Sequence, residues 1–134
     1  MDLQLEGKVA LVSGSTAGIG RAIAEALAAE GAEVVVNGRS AGRVDAAMEE
    51  MRRQQPGCKL RGVAADLGTA AGVDELLTEV PRVDILVNNL GIFEPKAFEE
   101  IPDEDWLRMF EINVLSGVRL TRALLPAMRE QDWG

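Results

Sequence analysis

The sequence of 134 residues contains no histidine, no tyrosine and a single cysteine, Cys58. A lone cysteine cannot form an internal disulfide, and without an imidazole it has no histidine base to activate it as a nucleophile. We therefore interpret Cys58 as a small apolar filler. Zinc and iron sites rely chiefly on histidine and cysteine ligands, so these shortages exclude most such ligand sets and predict that the chain binds no metal.

Positive charge and long apolar runs are also scarce. The 14 Lys and Arg residues are outnumbered by 22 Asp and Glu residues, and the net charge of -8 opposes binding to nucleic acid phosphates. Apolar runs such as residues 34–36 and 85–87 are far shorter than the roughly 20 residues that span a bilayer. The N-terminus carries acidic residues where a secretory signal would be basic and then apolar. We expect a cytoplasmic protein that binds neither nucleic acid nor membrane.

What the sequence does contain is an alternation of strand and helix patterns. Short apolar runs at residues 9–13, 33–37, 60–65 and 83–88 each precede a longer segment with helical spacing. This alternation predicts an α/β fold with a parallel sheet. Because the strands are continuous apolar runs, we expect helices on both faces and a fully buried sheet. The length predicts one domain covering 1–134.

Helical spacing predicts four helical regions. The first turns one apolar face to the core, formed by Ile19, Ile23, Ala26 and Leu27. The next two cover residues 41–55, with Ser40 as N-cap, and 70–79. A last region runs from Pro102 toward Met128, and Pro126 is expected to bend or end it.

The loop S-G-S-T-A-G-I-G, residues 13–20, lies between the first predicted strand and the first helix. Glycine spacing alone is a weak signal, but a strand, this loop, a helix and a second parallel strand form the context of a dinucleotide site. Gly14 would permit the turn, Gly18 would let a pyrophosphate approach the backbone, and Gly20 would allow close helix packing. The N–H of Ile19 and its neighbours would face the anion. The alternative is a tight turn without a ligand.

Two further motifs follow predicted strands: Asp66-Leu67 after the third, and N-N-L-G, residues 88–91, after the fourth. With the glycine loop, they resemble the motifs of the short-chain dehydrogenase/reductase family, whose glycine pattern is T-G-x-x-x-G-I-G. The resemblance runs from Lys8 to the last residue and covers the N-terminal half of such a protein. It implies a Rossmann-type three-layer α/β/α fold with strand order 3-2-1-4, truncated before the fifth strand.

The sequence departs from the family pattern at two positions in these motifs. Ser13 replaces a threonine and keeps the hydroxyl, whereas Leu90 replaces an alanine and adds bulk beside the cofactor channel.

The resemblance places a dinucleotide beyond the carboxyl ends of the strands. Asp66 is expected to accept a hydrogen bond from the adenine amino group, unless it only caps a turn. Asn88 and Asn89 are expected to tie the fourth strand to the glycine loop, and Asn88 can hold the site without touching ligand. The predicted cofactor-binding residues are Gly14, Ser15, Thr16, Gly18, Ile19, Gly20, Asn37, Arg39, Ser40, Asp66, Leu67, Asn89 and Gly91.

The end of the second strand bears on the choice between NAD and NADP. An acidic residue there would bind the ribose diol of NAD and repel the 2′-phosphate of NADP. This chain has Gly38 in that place, followed by Arg39, whose guanidinium suits a phosphate. Ser15, Asn37 and Ser40 could add hydrogen bonds. We predict NADP in preference to NAD; the alternative for Arg39 is a solvated residue near a helix start.

The resemblance also implies hydride transfer between a nicotinamide and a carbonyl or alcohol. The family uses a tyrosine as general acid/base, a lysine four residues later and a serine that polarises the carbonyl, and this chain has no tyrosine. Asn113 matches the remaining catalytic position, at a helix kink that holds a water in a proton relay. The alternative for Asn113 is a polar residue in a regular helix.

Several explanations of the missing groups remain. The sequence stops where the family would begin a fifth strand, yet its site residues remain in family positions without the groups that they serve: Arg39, Asp66, Asn89 and Asn113. We therefore favour a fragment: the NADP(H)-binding portion of an oxidoreductase, inactive alone. A natural short homologue without catalysis, acting as a nucleotide sensor or scaffold, is the second hypothesis. A methyltransferase of related fold is a distant third, since it would want an acid at the end of strand two. We also expect a homo-oligomer, because the edge of strand four and the last helices leave apolar surface exposed.

Overall fold

Four parallel strands form the sheet at the centre of the computed structural model, which describes all residues from Met1 to Gly134. They are β1 (Val9–Val12), β2 (Glu33–Gly38), β3 (Lys59–Ala64) and β4 (Ile85–Val87). The strands lie in the order β3-β2-β1-β4, so the predicted topology is confirmed. The strand order reverses at β1, which has β2 on one side and β4 on the other. Such a reversal leaves a crevice beyond the carboxyl ends of the strands.

Helices and turns connect these strands. They are α1 (Gly18–Ala29), α2 (Ala41–Gln54), α3 (Ala70–Glu79), a 3₁₀ turn (Phe98–Glu100), α4 (Asp103–Phe110), a π-helical segment (Glu111–Leu115) and α5 (Ser116–Glu130). The Oγ of Ser40 accepts the Arg43 N–H, and Thr69 caps α3 in the same way at Gly72. Both caps satisfy backbone donors that a helix start would leave unpaired.

Alternating side chains of the central strands divide the core into two layers. One layer packs Ala10, Val12, Val34 and Val36 against α1 and α2, and half-buried Cys58 lies against it. The other packs Leu11, Val35 and Val63 against apolar residues of α3 and α5. Helices therefore cover both faces, and the three-layer α/β/α arrangement is confirmed.

The expectation of a fully buried sheet is wrong for the two outer strands. In β3, Lys59, Arg61 and Ala64 are exposed, and β4 is only half-buried along its length. Both are edge strands of this sheet, with a hydrogen-bonded neighbour on one side only. Only β1 and β2, which have neighbours on both sides, are buried as expected.

Two details of the helices also differ from the sequence prediction. The buried residues of α1 are small, Gly20, Ala24 and Ala28. Of the predicted face, Ile23 and Leu27 pack half-buried against the core, whereas Ala26 is exposed and Ile19 is 75% exposed. Small residues let α1 approach the sheet closely, and the larger side chain of Ile19 points to solvent instead of into that narrow space. Pro126 does not end α5, which continues to Glu130. Pro126 is exposed, so water can satisfy the carbonyl freed by its missing N–H.

Candidate functional site

The glycine loop between β1 and α1 lies at the carboxyl edge of the sheet. Gly14 and Gly18 have φ angles of 62° and 58°, in the left-handed region that favours glycine. A Cβ on Gly18 would meet nothing within 4 Å, so the loop is open on that side. A Cβ on Gly20 would overlap the Gly14 carbonyl and the side-chain amide of Asn89. Gly14 thus makes the turn, and Gly20 permits the close packing of α1.

The start of α1 has no side-chain cap. Its N-cap residue is Ala17, whose side chain has no acceptor for a helix N–H, in contrast to the side chains of Ser40 and Thr69 on α2 and α3. Alanine is a poor N-cap residue because it leaves the first N–H groups without a partner. Unpaired N–H groups at the positive end of a helix dipole suit an anion. Local stability alone would favour a serine or aspartate at this position.

The Ser13 hydroxyl and the Asn89 side chain fasten the end of β4 to this loop. Ser13 Oγ accepts the N–H groups of Asn89 and Leu90, each at 3.0 Å. The Asn89 amide donates to the carbonyl oxygens of Ser13 at 3.0 Å and Gly14 at 3.1 Å. Serine therefore supplies the hydroxyl that the family's threonine would supply. Asn89 makes the expected tie, and its side-chain amide is directed to the loop rather than to the open side.

Asn88 has a different role from the one expected. Its amide donates to Thr121 Oγ1 at 3.1 Å, so it joins the end of β4 to α5 and not to the glycine loop. The tie expected of both asparagines is made by Asn89.

The side chains of Ser15 and Asn37 are turned inward. Asn37 is 1% exposed; its Oδ1 accepts the Gly14 N–H at 3.0 Å, and its amide donates to Val63 O at 3.2 Å and Ala65 O at 3.1 Å. Ser15 is fully buried, and its Oγ accepts the Asn37 N–H at 2.9 Å. This corrects the expectation that these side chains hydrogen-bond a phosphate. They hold the glycine loop and the end of β3 in place.

A cleft of about 570 Å³ opens at the carboxyl edge, beside the glycine loop and the turn after β2. Its volume lies within the range of small-molecule sites. The lining residues are Gly14, Thr16, Ala17, Asn37, Gly38, Arg39, Ser40, Arg43, Ala65, Leu67 and Leu90. The loop and the β2–α2 turn, two regions that the sequence assigned to one nucleotide, therefore line the same cleft.

The wall formed by the β2–α2 turn carries two exposed arginines, Arg39 and Arg43. A Cβ on Gly38 would lie 2.5 Å from the Thr16 methyl carbon, so the position of the NAD-binding acid is closed by packing. Arg43 was not among the predicted residues. The available signal was its place in the first turn of a predicted helix, four residues after Arg39, where a cation is unfavourable.

Asp66 combines a turn role with one free oxygen. Its Oδ1 accepts the Gly68 N–H at 3.0 Å, and its carbonyl accepts the Thr69 hydroxyl at 2.9 Å. Oδ2 forms no hydrogen bond within the chain, and Asp66 is exposed between two cleft-lining residues, Ala65 and Leu67. The turn-capping interpretation of Asp66 is therefore correct for Oδ1, and Oδ2 remains free to accept. Leu67 is 1% exposed and supplies apolar lining.

Asn113 lies in the π-helical segment between α4 and α5. Its Oδ1 accepts the Ile92 N–H at 2.7 Å, and its amide donates to the Ile92 carbonyl at 3.1 Å. A Cβ on Gly91 would lie 2.9 Å from the same Oδ1. The helix kink that the resemblance implied is thus a π-helical segment, a feature often found at functional sites. Gly91, at the start of the loop after β4, therefore lies against Asn113 of the π-helical segment.

Ion pairs hold the rest of that loop on α4. Lys96 pairs with Asp105, and Arg108 pairs with Glu94 at 2.9 Å. The hydrogen bond that Lys96 donates to Asp105 raises the pKa of Lys96, and the one that Arg108 donates to Glu94 raises the pKa of Arg108. These exposed pairs contribute little stability. Lys96 and Arg108 are thus paired with carboxylates, whereas Arg39 and Arg43 in the cleft form no ion pair.

Two classes of site are not found in the structure. No three His, Cys, Asp or Glu side chains are grouped in a way that could hold a metal ion. None of the helices has the length and apolar character needed to cross a bilayer.

Comparison with known proteins identifies the family. The family model for short chain dehydrogenases matches residues 8–134. An uncharacterized oxidoreductase of Bacillus subtilis, YvaG, is 53% identical over 134 residues, which are 100% of this chain and 51% of the relative. The D-beta-hydroxybutyrate dehydrogenase of Cupriavidus necator is 42% identical over 97% of this chain and 51% of its own length.

A solved structure resembles the whole of this chain. L-sorbose reductase from Gluconobacter frateurii, complexed with NADPH and L-sorbose, has a TM-score of 0.91 and 39% identity, over 98% of this chain and 51% of that one. The chain thus spans about half the length of the relatives it matches. Sequence motifs, sheet topology and these matches agree, and the chain belongs to the short-chain dehydrogenase family.

Proposed function

We propose that this chain is the NADP(H)-binding portion of an oxidoreductase that transfers hydride between a nicotinamide cofactor and a carbonyl or alcohol substrate. The observation that carries this proposal is the cleft itself, which begins at the glycine loop and ends at Arg39. A pyrophosphate fits the uncapped start of α1, and the 2′-phosphate that distinguishes NADP fits the arginine wall.

Each end of the cleft offers groups of the right chemistry. The N–H groups of Gly18 and Ile19 are donors without a cap at the start of α1. Asp66 Oδ2 is a free acceptor for an adenine amino group, and Arg39 is a free cation beside the Ser40 hydroxyl. When bound, NADP(H) supplies the hydride chemistry. The chain's own contribution is to bind and orient the nucleotide.

Asn113 serves the reaction, in this proposal, from the other end of the site. It fixes the backbone at Ile92 through two hydrogen bonds and so positions the start of the loop that contains Gly91. A π-helical segment also shifts the helical hydrogen-bond register, which frees backbone groups to hold a water. Asn113 thus supports a proton relay whose tyrosine this chain does not contain.

Titration of the purified chain with NADPH and with NADH tests the proposal. We expect NADPH to bind more tightly and to raise the melting temperature. We expect no turnover with any alcohol or carbonyl, because general acid–base catalysis contributes about 10²–10⁴-fold and the chain has no tyrosine. Binding of neither nucleotide would refute the proposed function. Turnover that survives removal of contaminating enzymes would refute the predicted inactivity.

We also propose that the chain forms a homo-oligomer through α4 and α5. Six large apolar side chains are exposed along α4, the π-helical segment and α5: Trp106, Leu107, Phe110, Val114, Val118 and Leu125. Patches of this kind mark interaction surfaces. Sedimentation at micromolar concentration should show an oligomer, and the double variant Leu107→Lys and Phe110→Lys should sediment as a monomer. A wild-type chain that sediments as a monomer with a cooperative melt would contradict the proposal.

A further inference from the structure

The charge of the cleft differs in sign from that of the chain. Arg39 and Arg43 are its charged lining residues, and the one carboxylate proposed to contact the nucleotide, Asp66, lies between the lining residues Ala65 and Leu67. The whole chain, by contrast, carries a net charge of -8. The surface of an acidic protein repels anions, so a ligand-sized cleft whose β2–α2 wall carries two cations favours an anion at that wall.

Neither arginine of the cleft has an ionic partner in the chain. Six other basic side chains do: Arg21, Arg53, Lys59, Lys96, Arg108 and Arg119. The two guanidinium groups in the cleft therefore keep all five N–H donors each for a ligand. A planar guanidinium binds phosphate through two parallel hydrogen bonds.

Helix stability does not explain arginine at position 43. Ser40 is the N-cap of α2 and accepts the Arg43 N–H at 3.4 Å, so Arg43 is the third residue of the first turn. In a capping box this position carries Glu or Gln, which bonds back to the N-cap N–H. Arginine cannot accept that bond, and its charge opposes the helix dipole. A residue that breaks local rules beside a cleft points to a functional constraint.

We infer that Arg43 is a second specificity-determining contact for the 2′-phosphate of NADP(H), acting from α2 while Arg39 acts from the end of β2. This inference rests on the proposed function, since it concerns the same nucleotide. Arg43 discriminates between NADPH and NADH and contributes nothing to binding of the part they share.

Binding constants for NADPH and NADH, measured on the folded chain, test the inference. Arg43→Gln keeps a polar side chain that suits a helix but removes the guanidinium and its charge. It should weaken NADPH binding about tenfold, as expected for loss of one charge-assisted contact. NADH binding should not change. The matched control is Arg52→Gln, an exposed arginine in the last turn of the same helix, which should alter neither constant.

A second variant separates binding from folding. Arg43→Glu completes the capping box and suits the helix dipole, so it should keep or raise the melting temperature while weakening NADPH binding more than Arg43→Gln does. Wild-type NADPH binding that Arg43→Gln leaves unchanged would overturn the inference and spare the proposed function. Failure of the wild-type chain to bind either nucleotide would overturn both. Equal weakening of NADPH and NADH would also overturn the inference.

Discussion

Replacing Arg39 with aspartate is expected to reverse the nucleotide preference of this chain. Arg39 is an unpaired cation on the wall of the cleft, at the end of β2. A carboxylate there would repel the 2′-phosphate of NADPH and could accept hydrogen bonds from the ribose diol of NADH. We expect NADPH affinity to fall by about 100-fold, or about 2.7 kcal/mol, while NADH affinity rises. Titration of both nucleotides measures the change.

The control must carry the same change in net charge. Arg82→Asp meets this requirement, because Arg82 is exposed, has no ion pair and does not line the cleft. It should leave the NADPH/NADH ratio unchanged at moderate ionic strength, where charges far from the ligand are screened. An unchanged ratio in Arg39→Asp, or an equal change in Arg82→Asp, would show that Arg39 does not determine the preference.

The substitution is placed at position 39 because position 38 is closed. A Cβ on Gly38 would lie 2.5 Å from Thr16 Cγ2 and 3.4 Å from Val44 Cγ2. Threonine is branched at Cβ and cannot easily move aside. An aspartate at position 38 would therefore disturb the glycine loop, to which Thr16 belongs. The sequence showed only that the acid is missing; the structure shows that side-chain packing closes the position.

The sheet and the three motifs could be predicted because their signals are local. Each apolar run is continuous, each helix follows at a regular distance, and the glycine spacing specifies a turn that only glycine makes easily. The crossover rules then leave few strand orders, of which 3-2-1-4 is found. The burial of β3 and β4 was overestimated because a strand's composition does not say whether it has a neighbour on both sides.

The orientation of the polar side chains could not be predicted. The Asn37 amide bonds to Val63 and Ala65, which are 26 and 28 residues away, and Asn113 bonds to Ile92, 21 residues away. Such partners depend on strand register and on the path of a loop, and neither can be read from the residues next to the asparagine. The motifs thus located the candidate site, and only the structure separated its exposed groups from the buried side chains that hold the loops in place.

Asn37→Ala is expected to destabilise the chain much more than Asn88→Ala does. Asn37 is 1% exposed, and its side chain serves three backbone groups: the Gly14 N–H and the carbonyl oxygens of Val63 and Ala65. Each buried group left without a partner costs about 1–3 kcal/mol. We expect the free energy of unfolding to fall by about 3–5 kcal/mol, some of the loss being recovered by water that enters the gap. Urea unfolding with an unchanged m-value measures it.

Asn88→Ala is the matched control, since Asn88 is exposed and its amide makes one hydrogen bond, to Thr121. Loss of this hydrogen bond should lower the free energy of unfolding by about 1 kcal/mol or less, because water replaces the exposed bond.

Asn37→Ala should also weaken NADPH and NADH binding by the same factor, because it loosens Gly14 in the loop proposed to hold both nucleotides. An equal loss of affinity for NADPH and NADH is the effect expected of a residue that positions the loop. Arg39→Asp, in contrast, should change the two affinities in opposite directions. Similar unfolding free energies for Asn37→Ala and Asn88→Ala would mean that the buried network does not hold the loop.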